Sequence, residues 1–396
     1  MIINKAYKFR IYPTKEQELF FAKHFGCSRF IYNHFLALRK KAWKEEKKTI
    51  SGFECKKMIS KMKKTEEYSW LKEVNSQSLQ ESCLNLEKAY KRFFKKLGDK
   101  PKFHKKNHKQ SFIVPQHFSV NETEGTIQIP KLKSTIKVTV HRKLKEVIKF
   151  NSLTISKEPS GKYFVSINVD NLTKEHKKTS NKIGIDLGIK DFLVNSDGDK
   201  TKHPRYLKQS LKKLKKTQKK LSKKQKGSSN RNKYRLKIAK IHERISNQRS
   251  DFLHKLSFNL IDKNQVIYLE DLNVKGMMKN RKLAQSIGDS GWGEFARQLK
   301  YKANWYGREI IQIGRFEPSS KLCSSCGYKN DKLELSMRQW ECPDCKIVHD
   351  RDINAAKNIL KIGQEVPKLK PVEKVTAVFS IKRKQVASVK QEPLCL

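Results

Sequence analysis

The alternation of apolar and polar residues predicts that the chain begins with a strand and continues as helices. Residues 4–12 alternate with a period of two, which puts Lys8 and Arg10 on the polar face. Pro13 ends this strand, and Thr14-Lys15-Glu16-Gln17 has the capping-box pattern that starts a helix. The pattern then stays mostly helical to about residue 97, including residues 18–40 and 76–97.

The second of these helices ends in a basic and aromatic stretch, Tyr90-Lys91-Arg92-Phe93-Phe94-Lys95-Lys96. A helix more often buries aromatic side chains than offers them to nucleobases, so we expect burial here. Lys91 and Arg92 are candidates for nucleic-acid contact, together with Lys8 and Arg10. Residues 100–109 carry Lys and His with little apolar content, and we predict a loop near phosphates.

Residues 111–170 change to the period of strands. Three segments with this period lie at residues 126–129, 136–140 and 154–158. The turn sequence Pro159-Ser160-Gly161-Lys162 joins the last of them to residues 163–167, which predicts a hairpin. We predict that these strands close a small β-barrel with the strand at 4–12, interrupted by the helical insert.

The second half begins, after a linker at residues 171–180, with an apolar strand at 182–187 that carries Asp186 in its middle. A charge in such a place costs roughly several kcal/mol unless it is paired or metal-bound. A second buried strand at 265–269 is followed by Glu270. Further elements are predicted at residues 192–194 (strand), 292–306 (helix), 310–313 (strand) and 352–360 (helix).

Residues 202–249 are strongly basic, with 19 Lys plus Arg and one acid, Glu243. Apolar residues form two stripes of helical period, broken at residues 227–230, which predicts two antiparallel helices. The imbalance is too one-sided for salt bridges within the pair, so it favours contact with a polyanion. The candidate phosphate-binding residues are Lys212, Lys213, Lys215 and Lys216.

Four cysteines near the end of the chain have the spacing of a zinc ribbon. Fifteen residues separate the pairs Cys323-x-x-Cys326 and Cys342-x-x-Cys345. Zinc prefers four soft ligands in a tetrahedron, and each pair supplies two thiolates from one tight turn. We therefore predict one structural Zn²⁺. The other cysteines, Cys27, Cys55, Cys83 and Cys395, show no paired spacing, as expected in a reducing cytosol.

The overall composition indicates a nucleic-acid partner. Lys plus Arg number 88 against 39 Asp plus Glu, a formal net charge of +49 over 396 residues. A field of this sign concentrates polyanions. No apolar run approaches the length of a membrane-spanning helix, and the N-terminus lacks the apolar stretch of a signal peptide. We expect a cytoplasmic, nucleoid-associated protein with no membrane partner and no small-molecule substrate.

Asp186, Glu270 and Asp352 are the candidate catalytic acids. A strand Asp, a strand-end Glu and a helix Asp, in this order, are how an RNase H-like fold gathers carboxylates around two divalent cations. Mg²⁺, or Mn²⁺ in its place, takes hard oxygen ligands and keeps open positions for water and phosphate. Asp350 is an alternative to Asp352 as the third ligand.

These acids lie in sequence motifs that resemble those of TnpB proteins, the transposon-encoded relatives of type V CRISPR effector nucleases. The resemblance spans nearly the whole chain and includes the N-terminal signature, the zinc segment from Pro318 to Gly327 and all three catalytic acids. The three segments that look like RuvC motifs are Ile183-Gly184-Ile185-Asp186-Leu187-Gly188, Leu269-Glu270-Asp271-Leu272 and Asp350-Arg351-Asp352-Ile353-Asn354-Ala355-Ala356.

The resemblance implies an RNA-guided DNA endonuclease of a transposable element, with a guide RNA derived from that element and a double-stranded DNA target. It also implies the architecture: an oligonucleotide-binding-like barrel with a helical insert, then an RNase H-like (RuvC) nuclease with an inserted zinc ribbon. The predicted units are a wedge-like barrel (1–12 and 110–175), a helical recognition domain (13–109), a nuclease domain (180–316 and 350–362, with a basic hairpin at 202–260), the ribbon (317–349) and a flexible tail (363–396).

Three other functions remain open at the level of sequence. A transposase that joins DNA ends would use the same metals and a similar acidic fold, so the acids do not separate hydrolysis from strand transfer. A nuclease-inactive regulator or an RNA-binding ribbon protein would explain the charge, but neither needs an acid such as Asp186 inside a strand.

Overall fold

The computed structural model describes residues 1–173, 176–315, 317–334 and 336–365. Its first part is one strand followed by four helical segments that share a core of their own. Thr14 caps the first helix and Gln17 closes the capping box, which confirms the predicted start. The bounds are β1 (Ile2–Ile11), α1 (Lys15–Glu46), α2 (Gly52–Met62), a 3₁₀ helix (Glu66–Glu73) and α3 (Ser76–Phe94).

β1 belongs to a seven-stranded sheet with the strands that follow the helices. These are β2 (Gln110–Val114), β3 (Ser119–Asn121), β4 (Thr126–Gln128), β5 (Ile136–Thr139), β6 (Val147–Lys157) and β7 (Tyr163–Leu172). The hydrogen-bonded order is β2-β6-β7-β1-β5-β4-β3. The predicted β6–β7 hairpin and the pairing of β1 with later strands are both confirmed. Phe21 and Phe25 of α1 pack into the core of this sheet.

A second sheet has five strands: β8 (Lys182–Asp186), β9 (Asp191–Asn195), β10 (Lys200–Lys202), β11 (Val266–Glu270) and β12 (Glu309–Ile313). Their order is β10-β9-β8-β11-β12, with β8, β11 and β12 parallel. The expectation that Asp186 lies in the middle of its strand is wrong. Asp186 ends β8, because the chain then turns back at Gly188, whose N–H bonds to the Phe192 carbonyl at 3.3 Å.

Helices cover this second sheet. The basic region forms two antiparallel helices as predicted, with Gly227 at a φ of 88° in the turn and Ser228 capping the second helix. The helix predicted at residues 292–306 is confirmed with the same bounds. The helices are α4 (Tyr206–Ser222), α5 (Ser229–Lys263), α6 (Val274–Met277), α7 (Ala284–Ser290), α8 (Trp292–Tyr306) and α9 (Arg351–Glu365), and a hairpin of β13 (Gln339–Glu341) and β14 (Val348–Asp350) precedes α9.

Two glycines let α9 lie directly on the sheet. A Cβ at Gly184 of β8 would come within 2.2 Å of the Ala356 carbonyl oxygen, and one at Gly363 would come within 2.1 Å of the Tyr268 ring on β11. Real Cβ atoms do not approach so closely, so each position requires glycine for this packing. The close approach brings the start of α9 to the ends of β8 and β11, where Asp186 and Glu270 lie.

The tail was predicted to begin at Gly363, but residues 363–365 belong to the last turn of α9, because Gly363 packs against Tyr268. The rest of the predicted tail, with Cys395, lies outside the described residues. In the part of the chain that the structure describes, no helix has the length and hydropathy needed to cross a membrane.

Candidate active site and zinc centre

Asp186 lies where β8 ends, close to the other two predicted catalytic acids. Some of its surface is open to solvent, but dense protein surrounds its carboxyl group. Burial is the largest influence on this group, followed by the negative charges of Glu270 and Asp352, and these raise the pKa of Asp186 to about 7. The nearby charge of Arg351 acts in the opposite direction. Two carboxylates that disfavour the ionisation of Asp186 in this way make its surroundings suited to a cation.

Glu270 and Asp352 are each held by a side chain from the cysteine-rich segment. The hydroxyl of Ser319 donates to Glu270 Oε1 at 2.5 Å. Arg338 lies 3.4 Å from Asp352 Oδ1, and Asp352 occupies the first turn of α9. Each contact restricts the movement of one acid. No sequence pattern signals the contacts that Ser319 and Arg338 make here.

Asp350 has a different position from Asp352. Its Oδ1 accepts hydrogen bonds from the backbone N–H groups of Asp352 and Ile353, both at 3.1 Å, so it caps the start of α9. Its Oδ2 pairs with Lys200 Nζ at 2.5 Å. Burial opposes ionisation, but the Lys200 contact and the backbone donors outweigh it and lower the pKa of Asp350. Asp350 is therefore already satisfied by protein groups, which favours Asp352 as the third catalytic acid.

The four cysteines come together as the sequence predicts, with their ligand atoms all within 4.8 Å of one another. The Cys323–Cys345 and Cys326–Cys342 sulfur distances are both 3.6 Å. Zinc at about 2.3 Å from each sulfur of a tetrahedron requires sulfurs about 3.8 Å apart. The donor set and its spacing therefore fit one structural zinc ion. Among the described residues, the three carboxylates are not gathered as tightly as these thiols.

Neighbouring groups prepare Cys323 for metal binding. Its sulfur lies 3.0 Å from His349 Nε2, on the buried side of β14. Burial raises the pKa of Cys323, but backbone donors at Cys326 and Ser325 and the His349 contact lower it to about 6. The thiolate is the form that binds metal, so these contacts favour the binding state.

Two buried asparagines join the cysteine-rich segment to α9. Asn354 accepts from the Ser324 backbone N–H at 2.9 Å and donates to the Leu322 carbonyl at 2.6 Å. Asn358 donates to the carbonyls of Ser319 and Leu322, both at 2.7 Å. These bonds attach the first cysteine turn to the helix that carries Asp352. Asn354 lies in the third motif that resembles RuvC, but the motif does not predict that Asn354 joins the cysteine turn to α9.

The basic side chains that are candidates for nucleic-acid contact differ in their exposure and in the protein groups that they already contact. Lys8 pairs with Glu158 at 3.2 Å and lies over the Phe164 ring, and Arg10 lies over the rings of Tyr12 and Phe164. Lys91 and Arg92 are exposed at the end of α3. On α4, Leu214 faces inward between four exposed lysines: Lys212, Lys213, Lys215 and Lys216.

We expect these four lysines to contact phosphates without discriminating between bases. Replacing all four by Ala should weaken binding to every nucleic-acid sequence alike and reduce the log–log salt slope by about 0.7–0.9 for each phosphate that is no longer neutralised. Binding titrations over a salt series measure both quantities. An unchanged slope would mean that these lysines face only water. A control with equal charge change replaces exposed lysines elsewhere: Lys57, Lys61, Lys332 and Lys346.

Family models match most of the chain. The model described as "Probable transposase" matches residues 162–281, and a "Cas12f1-like, TNB domain" model matches 292–359. A "Helix-turn-helix domain" model matches residues 1–48, which here form β1 and a single helix of 32 residues, α1. Fold and family models thus define a protein of the class that includes transposon-encoded proteins and the Cas12f nucleases.

Relatives covered over 72–93% of their length identify one family within this class. The chain is 37% identical over 361 residues to a Streptomyces pristinaespiralis protein named "Putative RNA-guided DNA endonuclease", with 91% of this chain and 90% of the relative covered. It is 31% identical over 379 residues to the Escherichia coli (strain K12) protein of the same description, InsQ, with 91% and 93% covered. It is 26% identical over 390 residues to "TnpB-like protein L79" of Acanthamoeba polyphaga mimivirus, with 90% and 72% covered. The chain belongs to the TnpB family.

A solved structure shares the fold. In a cryo-EM structure of a Cas12f1–sgRNA–target DNA complex, the Cas12f1 chain superposes with a TM-score of 0.55 at 14% sequence identity, covering 90% of this chain and 98% of that chain. At this sequence identity the similarity shows that the two chains share their overall fold.

Proposed function

We propose that this protein is an RNA-guided DNA endonuclease that hydrolyses target-DNA phosphodiesters with divalent metal ions. The observation that carries the proposal is the position of Asp186 at the end of β8, where it is partly exposed and has the Glu270 and Asp352 carboxylates close to its own. Relatives at 37% and 31% identity are named as RNA-guided DNA endonucleases, which supports the same activity here.

The second sheet supports an RNase H-like assignment. Its order places the antiparallel β9 and β10 on one side of β8 and the parallel β11 and β12 on the other, with α9 packed across β8. In this assignment, residues 180–316 and 350–362 form the nuclease domain and residues 317–349 form the zinc ribbon. The first sheet, at 1–12 and 110–175, forms the wedge-like barrel, and residues 13–109 form the helical recognition domain.

The chain's own groups divide the work at the site. Asp186, Glu270 and Asp352 supply hard carboxylate oxygens, the donors that Mg²⁺ and Mn²⁺ prefer. Such ions, when bound, activate a water and stabilise the leaving oxygen of a phosphodiester. Ser319 orients Glu270, and the cap at Asp350 fixes the helix turn that carries Asp352. The four cysteines would hold a zinc ion with a structural role.

The partners follow from the charge and the family. A net charge of +49 suits a protein that binds a guide RNA and a DNA duplex together. The guide RNA is derived from the transposable element, and base pairing between guide and target delivers the sequence specificity.

The test is to express the protein with the DNA that flanks its gene, sequence the RNA that copurifies, and offer duplexes matching that RNA. Metal-dependent cleavage of the matched duplex, and not of a scrambled one, is the expected result. Joining of a labelled element end to the target would instead assign a transposase. If the intact protein copurifies with RNA and binds the matched DNA but does not cleave it, the protein is a regulator.

A further inference from the structure

A basic cleft with exposed aromatic rings lies in the helical part of the chain, and none of the three candidate catalytic acids lines it. It occupies about 620 Å³ between the end of α1, the segment that follows α1, and the end of α3. We call it the aromatic cleft, and define it by the rings of Trp43, Phe93 and Phe94 and the ammonium groups of Lys44, Lys47 and Lys48. The proposed nuclease function gives it no role.

Two of the three rings of this cleft are largely exposed. Phe94 is 71% exposed and Trp43 is 57% exposed, although the sequence predicted that the aromatics at the end of α3 would be buried. That prediction is wrong for Phe94, because α3 ends there and its last turn projects beyond the helical core. A single exposed ring is ordinary on a protein surface, but several apolar rings that line one cleft form a patch of the kind that marks an interaction site.

The charge around the rings indicates what kind of partner binds. Lys44, Lys47 and Lys48 are exposed, and Lys47 Nζ lies 6.0 Å from the centre of the Trp43 ring. No acid lines the cleft among the described residues, and the one arginine there, Arg39, is already paired with Glu87 at 2.9 Å. The cleft is therefore a cationic surface. A second copy of this strongly basic chain would place like charges against each other.

We infer that the aromatic cleft binds an unpaired, single-stranded segment of nucleic acid, with bases stacked on Trp43 and Phe94 and phosphates beside the lysines. A duplex keeps its bases stacked inside and offers only phosphates to this surface, whereas an unpaired segment offers both. Stacking on a base does not distinguish ribose from deoxyribose, so single-stranded RNA and single-stranded DNA present the same features to this cleft. The inference needs neither the carboxylates nor the cleavage reaction.

The test uses labelled single-stranded oligouridine of about 12 nucleotides, its deoxy analogue, and a duplex of the same length. The variant Trp43→Leu/Phe94→Leu removes both rings but keeps apolar bulk. We expect it to bind both single strands on the order of tenfold or more weakly, with duplex binding unchanged. If the variant binds only the oligouridine or only the deoxy analogue more weakly, the cleft is still a single-strand site. The affected oligonucleotide then shows whether the ligand of the cleft is RNA or DNA.

Phe53→Leu is the matched control. Phe53 is also 71% exposed and has a lysine, Lys56, with its Nζ 5.5 Å from the ring centre, but it lies outside the cleft. This variant should bind like the parent protein. Because all three rings are exposed, none of these changes should lower the melting temperature.

The salt dependence of oligonucleotide binding distinguishes the contribution of the rings from that of the lysines. The double ring variant should keep the parent's log–log slope, because stacking releases no counterions, and its defect should persist at high salt. Lys44→Gln/Lys48→Gln should instead reduce the slope by about 0.7 for each phosphate of a single strand that is no longer neutralised. Three results for the double ring variant would each overturn the inference. These are an equal weakening of duplex and single-strand binding, no weakening of either, and a defect in self-association in place of oligonucleotide binding.

Discussion

Replacing Asp186, Glu270 or Asp352 by Ala is expected to abolish metal-dependent DNA cleavage while nucleic-acid binding stays largely intact. Each change removes a carboxylate that the remaining two cannot replace. Loss of groups that merely orient a metal ligand costs about 10–100-fold, so loss of a ligand should cost more. Single-turnover cleavage of a guide-matched duplex measures the effect, and a binding titration on the same complex shows that the duplex is still held.

Asp350→Ala is the matched control, because Asp350 lies two residues from Asp352 but caps α9 and pairs with Lys200. Losing that cap costs about 1 kcal/mol of stability, so cleavage should fall less than in Asp352→Ala. If Asp350→Ala stops cleavage and Asp352→Ala does not, the third acid is wrongly assigned.

A stability measurement distinguishes a missing ligand from a disrupted fold. Burial and the neighbouring acids raise the pKa of Asp186 to about 7, from an ordinary value of 3.8. An acid whose pKa is raised on folding stabilises the protein least when the pH is above its folded pKa. In chelator at pH 8, Asp186→Asn should therefore melt higher than the parent, and the difference should vanish near pH 4. A lower melting temperature at pH 8 would contradict this electrostatic account.

The sequence predicted best those features that depend on local pattern. The capping box at Thr14, the bounds of α8 and the break at Gly227 each follow from a few adjacent residues, and the structure confirms all three. The spacing of the cysteines likewise places four thiols together, because each pair is held by its own turn.

Features that depend on packing between distant segments could not be predicted in this way. Ser319 contacts Glu270 across 49 positions of sequence, and Asn358 reaches Ser319 across 39. No period or spacing signals such a contact, because it exists only once Gly184 lets α9 lie on β8. Periodicity locates an element more reliably than it locates the element's last residue. For this reason the predictions were wrong for two residues at the ends of elements, Asp186 at the end of β8 and Phe94 at the end of α3.

Removing one zinc ligand should affect the catalytic acids as well as the ribbon. Cys342→Ser is expected to reduce bound zinc from about one ion per chain to nearly none, and to unfold residues around the two cysteine turns. The segment proposed as the ribbon supplies Ser319 to Glu270, and Asn354 ties this segment to α9. Cleavage should therefore fall together with zinc content.

Cys55→Ala is the control, since Cys55 is a buried thiol in the helical core, far from the four-cysteine cluster. It should lose some stability through its small cavity but keep its zinc and its cleavage. Elemental analysis and cleavage assays on the same samples make the comparison. Zinc retained in Cys342→Ser would refute the four-thiolate site. Zinc lost with cleavage intact would show instead that α9 holds Asp352 in place without help from the ribbon, through its packing at Gly184 and Gly363 alone.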